Sequence, residues 1–286
     1  MSELVSGEEG LVSGRHRWPA RNETARSQTW QGSSVFTQVK VLTRRAVLEF
    51  LSDPRSVLLG MLQPVVILFL MTGMFGRSAH FPHGITFFDY VLPAVLVDNA
   101  VQTSLQSGVG LVEDLKNGIV ARLRSLPILP SSMLIARCIT SLIRCALQGL
   151  IMLTLAQITH GDVLRGGLAG PTVSLGLTLL LAWSLGWVFL AAGVWIRRAE
   201  TLQNLGFMVL LPLMFASSAY LPVRELPSVL RVVAYVNPLT YAINATRTVF
   251  FHTPGGTGAI LPAVLLSLVL AAAGAFGAVV GFRRPL

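Results

Sequence analysis

The side chains of this chain that could do chemistry sit where charge is costly. An otherwise apolar run at 89–111 carries Asp98, Asn99, Gln102 and Gln106, and the next apolar run carries Arg137, Arg144 and Gln148. Steps of three and four residues put Asp98 or Asn99, Gln102 and Gln106 on one helix face. Ionisable groups inside an apolar span are expensive and usually functional. Asp98 lies 13 residues before Leu111 and Arg144 lies 12 after Ser132. At 1.5 Å per residue, both sit roughly 18–20 Å from those helix ends. Antiparallel neighbours would bring them level, and an Asp98–Arg144 pair would relieve both desolvation costs. Two readings stand: the pair locks two helices together, or it joins Asn99, Gln102 and Gln106 in a polar seam lining a transport path. Gln63, just before Pro64 in an earlier apolar run, is a helix–helix hydrogen bonder beside a kink.

Other chemistry is missing from the sequence. A phosphate-cradling loop needs Gly-Lys-Ser/Thr, whereas Lys40 follows Val39 and Lys116 follows Leu115. No serine or cysteine stands in a nucleophile motif. His16, His80, His83, His160 and His252 are scattered at or beyond the ends of apolar runs, without fixed acidic partners. Cys138 and Cys145 lie seven apart, roughly 10 Å along a helix and too far for a disulfide. The expectation is a chain that is not an enzyme, with no catalytic residues, no metal site and no cofactor of its own.

The elements that must position the polar residues follow from composition. Hydrophobic residues make up 53% of the 286-residue chain and charged ones 12%, with a mean hydropathy of +0.66. A soluble domain carries about 25% charge, so this composition specifies an integral membrane protein. Six spans are expected at about 56–75, 89–111, 132–157, 171–196, 203–220 and 258–282, each near the ~20 residues that cross hydrocarbon. The net charge of +9 is distributed by side. Basic residues crowd the segment up to and including Arg55, the 112–130 insert, Arg197–Arg198 and Arg283–Arg284, against Arg77, Arg165, Arg224, Arg231 and Arg247 on the other side. Positive residues stay inside, which puts both termini and the insert in the cytoplasm of a multi-pass cell-membrane protein. The basic excess is a topology signal and not a nucleic-acid site.

The regions between and before the spans divide the chain further. Residues 1–32 are rich in Ser, Gly, Arg and Glu and read as a disordered cytoplasmic tail. Residues 33–55 read as an amphipathic interfacial helix, with Val35, Val39, Leu42, Ala46, Val47 and Phe50 on the apolar side and Lys40, Arg44 and Arg45 off it. Residues 56–286 form the transmembrane domain. Between spans two and three comes a compact charged element containing Glu113, Asp114, Lys116, Gly118, Arg122, Arg124 and Pro127. It reads as a short helix at the membrane surface where a soluble partner could push. Between spans five and six, residues 221–251 read as two short external helices dipping into the bilayer.

These features in this order resemble a known family. The amphipathic helix ends in Asp53-Pro54, and Gln63-Pro64 follows early in span one. Then come Glu113-Asp-Leu-Lys-Asn-Gly118 with Arg122-Leu-Arg124-Ser-Leu-Pro127, and finally Asn237-Pro238-Leu-Thr-Tyr241 and Arg247. From about residue 35 onward the chain resembles the membrane subunit of an ABC-2 type exporter, in the daunorubicin-resistance permease group. The resemblance implies an all-α permease that dimerises with a second permease copy and docks a separate ABC ATP-binding subunit, which holds ATP and magnesium. It implies that 113–127 is the coupling helix seated on that ATPase. It also implies that 33–55 is the connecting helix, and that Asn237, Pro238, Tyr241 and Arg247 belong to an external gate. The cargo would be an amphipathic drug-, antibiotic- or lipid-like molecule moved outward. The alternatives are a polysaccharide or glycolipid export permease, or an ion-coupled secondary carrier. The carrier reading is weakened because Asp98 is the one acidic residue at midplane and no internal repeat is visible.

Overall fold

The computed structural model describes residues 39–41, 43, 44, 48, 54–76, 86–117, 130–160, 167–251 and 256–282. Every regular element among them is helical. Eight helices are named here in chain order. They are α1 (Pro54–Phe75), α2 (Phe87–Lys116), α3 (Pro130–His160), α4 (Ala169–Ile196), α5 (Ala199–Phe215), α6 (Ser228–Val236), α7 (Pro238–Phe251) and α8 (Ile260–Phe282). Short 3-10 turns stand at Val223–Glu225 and Gly256–Ala259. Of the expected interfacial helix, Val39, Lys40, Val41, Thr43, Arg44 and Leu48 are described; all are helical, with Lys40 and Arg44 exposed.

Three helices contain stretches long and apolar enough to cross a bilayer, Ser132–Thr159, Ala169–Ile196 and Ile260–Gly281; Leu59–Phe75 and Ala199–Phe215 are shorter apolar segments. The chain is a multi-pass membrane protein. α2 is longer than any expected span. Its 30 residues cover about 45 Å, against roughly 30 Å of hydrocarbon.

Local chemistry sets these limits. The α2 start is a reciprocal cap: Thr86 Oγ1 accepts from the Asp89 amide at 3.2 Å, and Asp89 Oδ2 accepts from the Thr86 amide at 3.1 Å. At its other end Glu113, Asp114 and Lys116 form the last turn of α2 itself, where a separate charged helix was expected to begin at Glu113. The reason is that nothing between Leu111 and Lys116 breaks a helix; Gly118 is the first residue that would. Residues 118–129, with Gly118, Arg122, Arg124 and Pro127, lie outside the described residues. α4 ends where Arg197 takes a left-handed conformation (φ 55°), its amide still donating to Gly193 O at 3.0 Å. That turn starts α5 at Ala199, before the expected 203, and α5 ends at Phe215, short of the expected 220.

α2 and α4 form the centre. Val97, Val101 and Leu105 of α2 pack with Leu181 and Leu185 of α4 and with Leu202, Leu239 and Ile243. A second cluster joins Met61 and Leu68 of α1 to Phe88, Val91 and Leu92 of α2, Met152 of α3 and Phe250 of α7. Between helices in lipid there is little hydrophobic drive, so contact relies on small residues and close packing. A methyl group at Gly108 would stand 2.5 Å from Phe189 O, and one at Gly274 would stand 2.6 Å from Val188 N. α4 is thus held backbone-to-backbone by α2 on one side and α8 on the other. Outward faces are apolar, as with Leu62, Val66 and Phe69 on α1 and Leu261, Leu265 and Phe276 on α8.

Candidate functional site

The α2–α3 pair is antiparallel, and its polar contacts fix the register. Asn99 Nδ2 donates to Cys145 O at 3.4 Å, Ser141 Oγ to Thr103 O at 3.1 Å, and Arg144 Nη1 to Gln106 Oε1 at 2.9 Å. Nearest the Lys116 end, Arg137 Nε donates to Asp114 Oδ2 at 3.0 Å in a half-buried ion pair. The expected register is therefore nearly right, since Asn99 faces Cys145 where Asp98 was to face Arg144. The expected Asp98–Arg144 pair nevertheless does not form. Cα–Cβ bonds tilt toward the N-terminus of each helix. In antiparallel helices that sends Asp98 toward the Phe87 end and Arg144 toward the Lys116 end, where Gln106 meets it. A step of one residue also turns Asp98 about 100° away from the face that Asn99 presents to α3. Asp98 is buried at 8% exposure, within range of Gln102 on its own helix and of Tyr220.

The seam opens into a cavity of about 440 Å³. α1 gives it Leu59, Gly60 and Gln63, and α5 gives Gln203 and Phe207. α2 supplies the floor with Gln102, Leu105, Gln106, Val109, Gly110 and Glu113, and α3 adds Arg137 and Arg144. Of the expected path residues, Gln63, Gln102, Gln106 and Arg144 line this space; Asp98 and Asn99 do not. Gln203 and Arg137 complete it and were not expected there. Gln203 carried a signal that could have been read, an amide one turn into an apolar helix. The packing is close: a methyl group on Gly110 would collide with Arg137 Nη1. The lining sets carboxamides, which donate and accept hydrogen bonds, and guanidinium groups, which only donate them, beside Leu59, Leu105 and Phe207. Cys138 and Cys145 are buried free thiols elsewhere on α3.

The expected gate residues gather at the other end. Asn237 caps α7, its Oδ1 accepting from the Leu239 amide at 2.9 Å, with Pro238 at the first helical position. Its Nδ2 donates to Leu213 O at 2.6 Å and Ala216 O at 2.9 Å, satisfying carbonyls that the end of α5 leaves open. Tyr241 donates to Tyr235 O at 2.6 Å, which clamps α6 to α7. Arg247 reaches furthest. Its Nη2 donates to Tyr90 O and Ser218 O, both at 2.9 Å, and its guanidinium lies 3.6 Å over the Tyr90 ring. Tyr90 donates back to Ser218 O at 3.3 Å, and Ser218 donates to Asn244 Oδ1 at 2.8 Å. One arginine thus ties α2, the turn after α5 and α7 together. Tyr90, Ser218 and Asn244 were not foreseen, because their sequence distances from each other hide the contact.

Comparison with known proteins agrees with this architecture. The sequence model of the ABC-2 type transporter family matches residues 37–251. The chain is 26% identical over 213 residues to a daunorubicin resistance ABC transporter permease protein, DrrB1, of Streptomyces coeruleorubidus, covering 74% of each. It is 25% identical over 221 residues to a putative transport permease, ycf38, of Pyropia yezoensis, covering 76% of this chain and 75% of that one. The corresponding putative permease of Cyanophora paradoxa is 26% identical over 219 residues, covering 74% of each.

Proposed function

We propose that this chain, which belongs to the ABC-2 type transporter family and is a membrane permease of an ABC transporter, moves amphipathic drug-, antibiotic- or lipid-like molecules outward. The cargo would leave the cytoplasm or the inner leaflet of the cell membrane. In this reading six spans cross the bilayer with both termini cytoplasmic, two permease copies pair, and a separate subunit hydrolyses MgATP. The permease itself carries no catalytic group.

The observation that carries the reading is the position of the cavity on α2. Gln102, Gln106, Gly110 and Glu113 line it, and the same unbroken helix runs on to Lys116. A push on the 113–127 segment by an ATPase would therefore move the cavity floor directly, with Arg137–Asp114 carrying the movement to α3. Glu113, Asp114, Lys116, Gly118, Arg122, Arg124 and Pro127 are assigned to that coupling segment. Coupling requires the ATPase to hold this segment differently in its two nucleotide states, since equal affinity for both shifts nothing. Asn237, Pro238, Tyr241 and Arg247 are assigned to the outer closure, supported by the way they bind α5, α6, α7 and α2 into one bracket. A cavity of about 440 Å³ is at the scale of drug-sized ligands, which favours a small amphiphile over a polysaccharide.

The test is transport in inside-out vesicles carrying the full chain with its co-expressed ABC ATP-binding subunit. ATP-dependent uptake of a fluorescent amphiphile is expected, with Glu113→Lys or Arg122→Glu leaving ATP hydrolysis but abolishing its link to uptake. Uptake that persists without the ATPase and collapses with the proton gradient would establish the ion-coupled carrier instead.

A further inference from the structure

Resting on the transport reading above, we infer that the cavity selects amphiphiles by an uncharged, hydroxyl-rich head group held between the carboxamides of Gln63 and Gln203. Both guanidinium groups of the lining are engaged. Arg137 is turned onto the Asp114 carboxylate, and Arg144 donates to Gln106 Oε1 and makes a further contact besides. The acid of the lining, Glu113, stands exposed in the last turn of α2, where water and salt screen its charge. The carboxamides divide into two kinds. Gln106 receives Arg144, and Gln102 lies within range of Asp98. Gln63 on α1 and Gln203 on α5 line the cavity, are exposed, and have no hydrogen-bond partner among the described residues. A third amide stands behind the wall. Gln148, one turn beyond Arg144 on α3, is 4% exposed and packs on Gly60 of the lining, where a methyl group would stand 3.0 Å from its Nε2. Its Oε1 is buried and receives no hydrogen bond among the described residues.

Each head-group class meets this arrangement differently. An unpaired carboxamide in an apolar span is costly, so the guest that pairs most of them is favoured. An oxyanion accepts from the NH₂ groups but leaves every carboxamide oxygen, Gln148 Oε1 included, without a donor. A quaternary ammonium head carries no N–H to donate and would sit beside the guanidinium groups of α3. A hydroxyl both donates and accepts, as a carboxamide does. Several hydroxyls on one head can therefore engage Gln63 from α1 and Gln203 from α5 together. Such a head also enters without the penalty of stripping water from an ion. The apolar body has a place as well. Leu59 and Phe207 wall the cavity, and exposed Leu62 on α1 and Met208 on α5 extend apolar surface away from it. A cavity of about 440 Å³ accepts a head and a few carbons, with the chain lying along those faces.

Binding can be read without ATP. The purified full-length protein in phosphatidylcholine nanodiscs would be titrated with fluorescent single-chain amphiphiles of one tail length, with binding to empty nanodiscs subtracted. Four heads are compared: glucoside, fully O-methylated glucoside, phosphate monoester and trimethylammonium. The glucoside should bind tightest, at least about fivefold tighter than its methylated form, the worth of one neutral hydrogen bond. The methylated head keeps its acceptors and has no donor, and the two ionic heads should do no better than it. Gln63→Met and Gln203→Met, which keep volume and lose the amide, should each weaken the glucoside about fivefold and leave the trimethylammonium unchanged. The head-group series is read on the parent protein alone, so it holds whether or not a variant folds. A phosphate or trimethylammonium head that binds as tightly as the glucoside would overturn the inference. So would equal binding of the two glucosides, or glucoside binding unchanged in both folded variants. Glucoside preference without ATP-driven uptake would uphold the site and sink the transport reading; ATP-driven uptake of an ionic amphiphile alone would do the reverse.

Discussion

α2 meets its neighbours in two contrasting ways. Toward α4 the contact is made by glycine: the Gly108 backbone touches the Phe189 carbonyl region, and a methyl on Gly193 would stand 2.9 Å from Gly108 O. Toward α1 and α5 the apolar packing of Met61, Leu68 and Leu202 is interrupted by Gln102 and Gln106, which line open space with Gln63 and Gln203. The first contact has no slack, because backbone cannot retreat as a side-chain end can. The second has polar side chains that water or a ligand can satisfy as well as protein does. The difference teaches where the molecule is free to change shape: α2, α4 and α8 form a stiff unit, and the wet stretch beside Gln102 and Gln106, between the apolar contacts that hold α1 and α5, is where side chains can move at low cost.

The most severe way to break this contrast is Gly108→Leu. The new side chain would enter space held by Phe189 backbone, and overpacking of that kind exceeds the usual 1–3 kcal/mol when backbone must move. We expect no folded protein in detergent, read by size-exclusion profile and thermal unfolding. Next comes Arg247→Ala. It removes donors from Tyr90 O and Ser218 O and the cation over the Tyr90 ring, which should cost about 3 kcal/mol. Tyr90→Phe, losing the 3.3 Å bond to Ser218 O, should cost about 1 kcal/mol. An unchanged melting temperature in Arg247→Ala would show that the bracket does not hold the outer end together.

Gly110→Ala tests the border between the two regions. Its methyl would displace Arg137 Nη1 and strain the half-buried Arg137–Asp114 pair, worth at most about 1 kcal/mol in stability. The larger expected effect is on coupling, because that pair links the last turn of α2 to α3. ATP hydrolysis should continue while uptake falls, and uptake as in the parent would show the pair to be a passive brace.

Much of this was legible in the sequence, and the failures have physical causes. Long apolar runs gave six helices near their expected places, because length and hydropathy are local properties. The antiparallel register of α2 and α3 was almost recovered by counting from helix ends, and Asn99 does face Cys145. Counting along an axis ignores the direction in which side chains lean, so Asp98 and Arg144 were paired where Arg144 in fact reaches Gln106. Where α2 stops depended on helix breakers rather than on charge, so Glu113–Lys116 were assigned to a separate helix. The partners of Arg247 could not be read at all: Tyr90 is 157 residues away, and no periodicity reports a contact between segments that distant.

The smallest expected effect on stability separates binding from folding at neighbouring residues. Gln203 is exposed and lines the cavity, whereas Leu202 beside it is 2% exposed and packs in the central cluster with Leu105. Gln203→Ala should leave stability within about 0.5 kcal/mol, while Leu202→Ala should cost about 2–4 kcal/mol through the cavity it leaves. Function should respond in the opposite order. Losing the Gln203 amide removes one neutral hydrogen bond to a bound head group, about 1 kcal/mol, or roughly a fivefold rise in the amphiphile concentration that half-saturates uptake. Leu202→Ala, assayed well below its melting temperature, should keep the parent value. If the two variants instead lose affinity together, the wet face of α2 is not separable from its packed one, because a core defect at Leu202 is then transmitted into the cavity beside it.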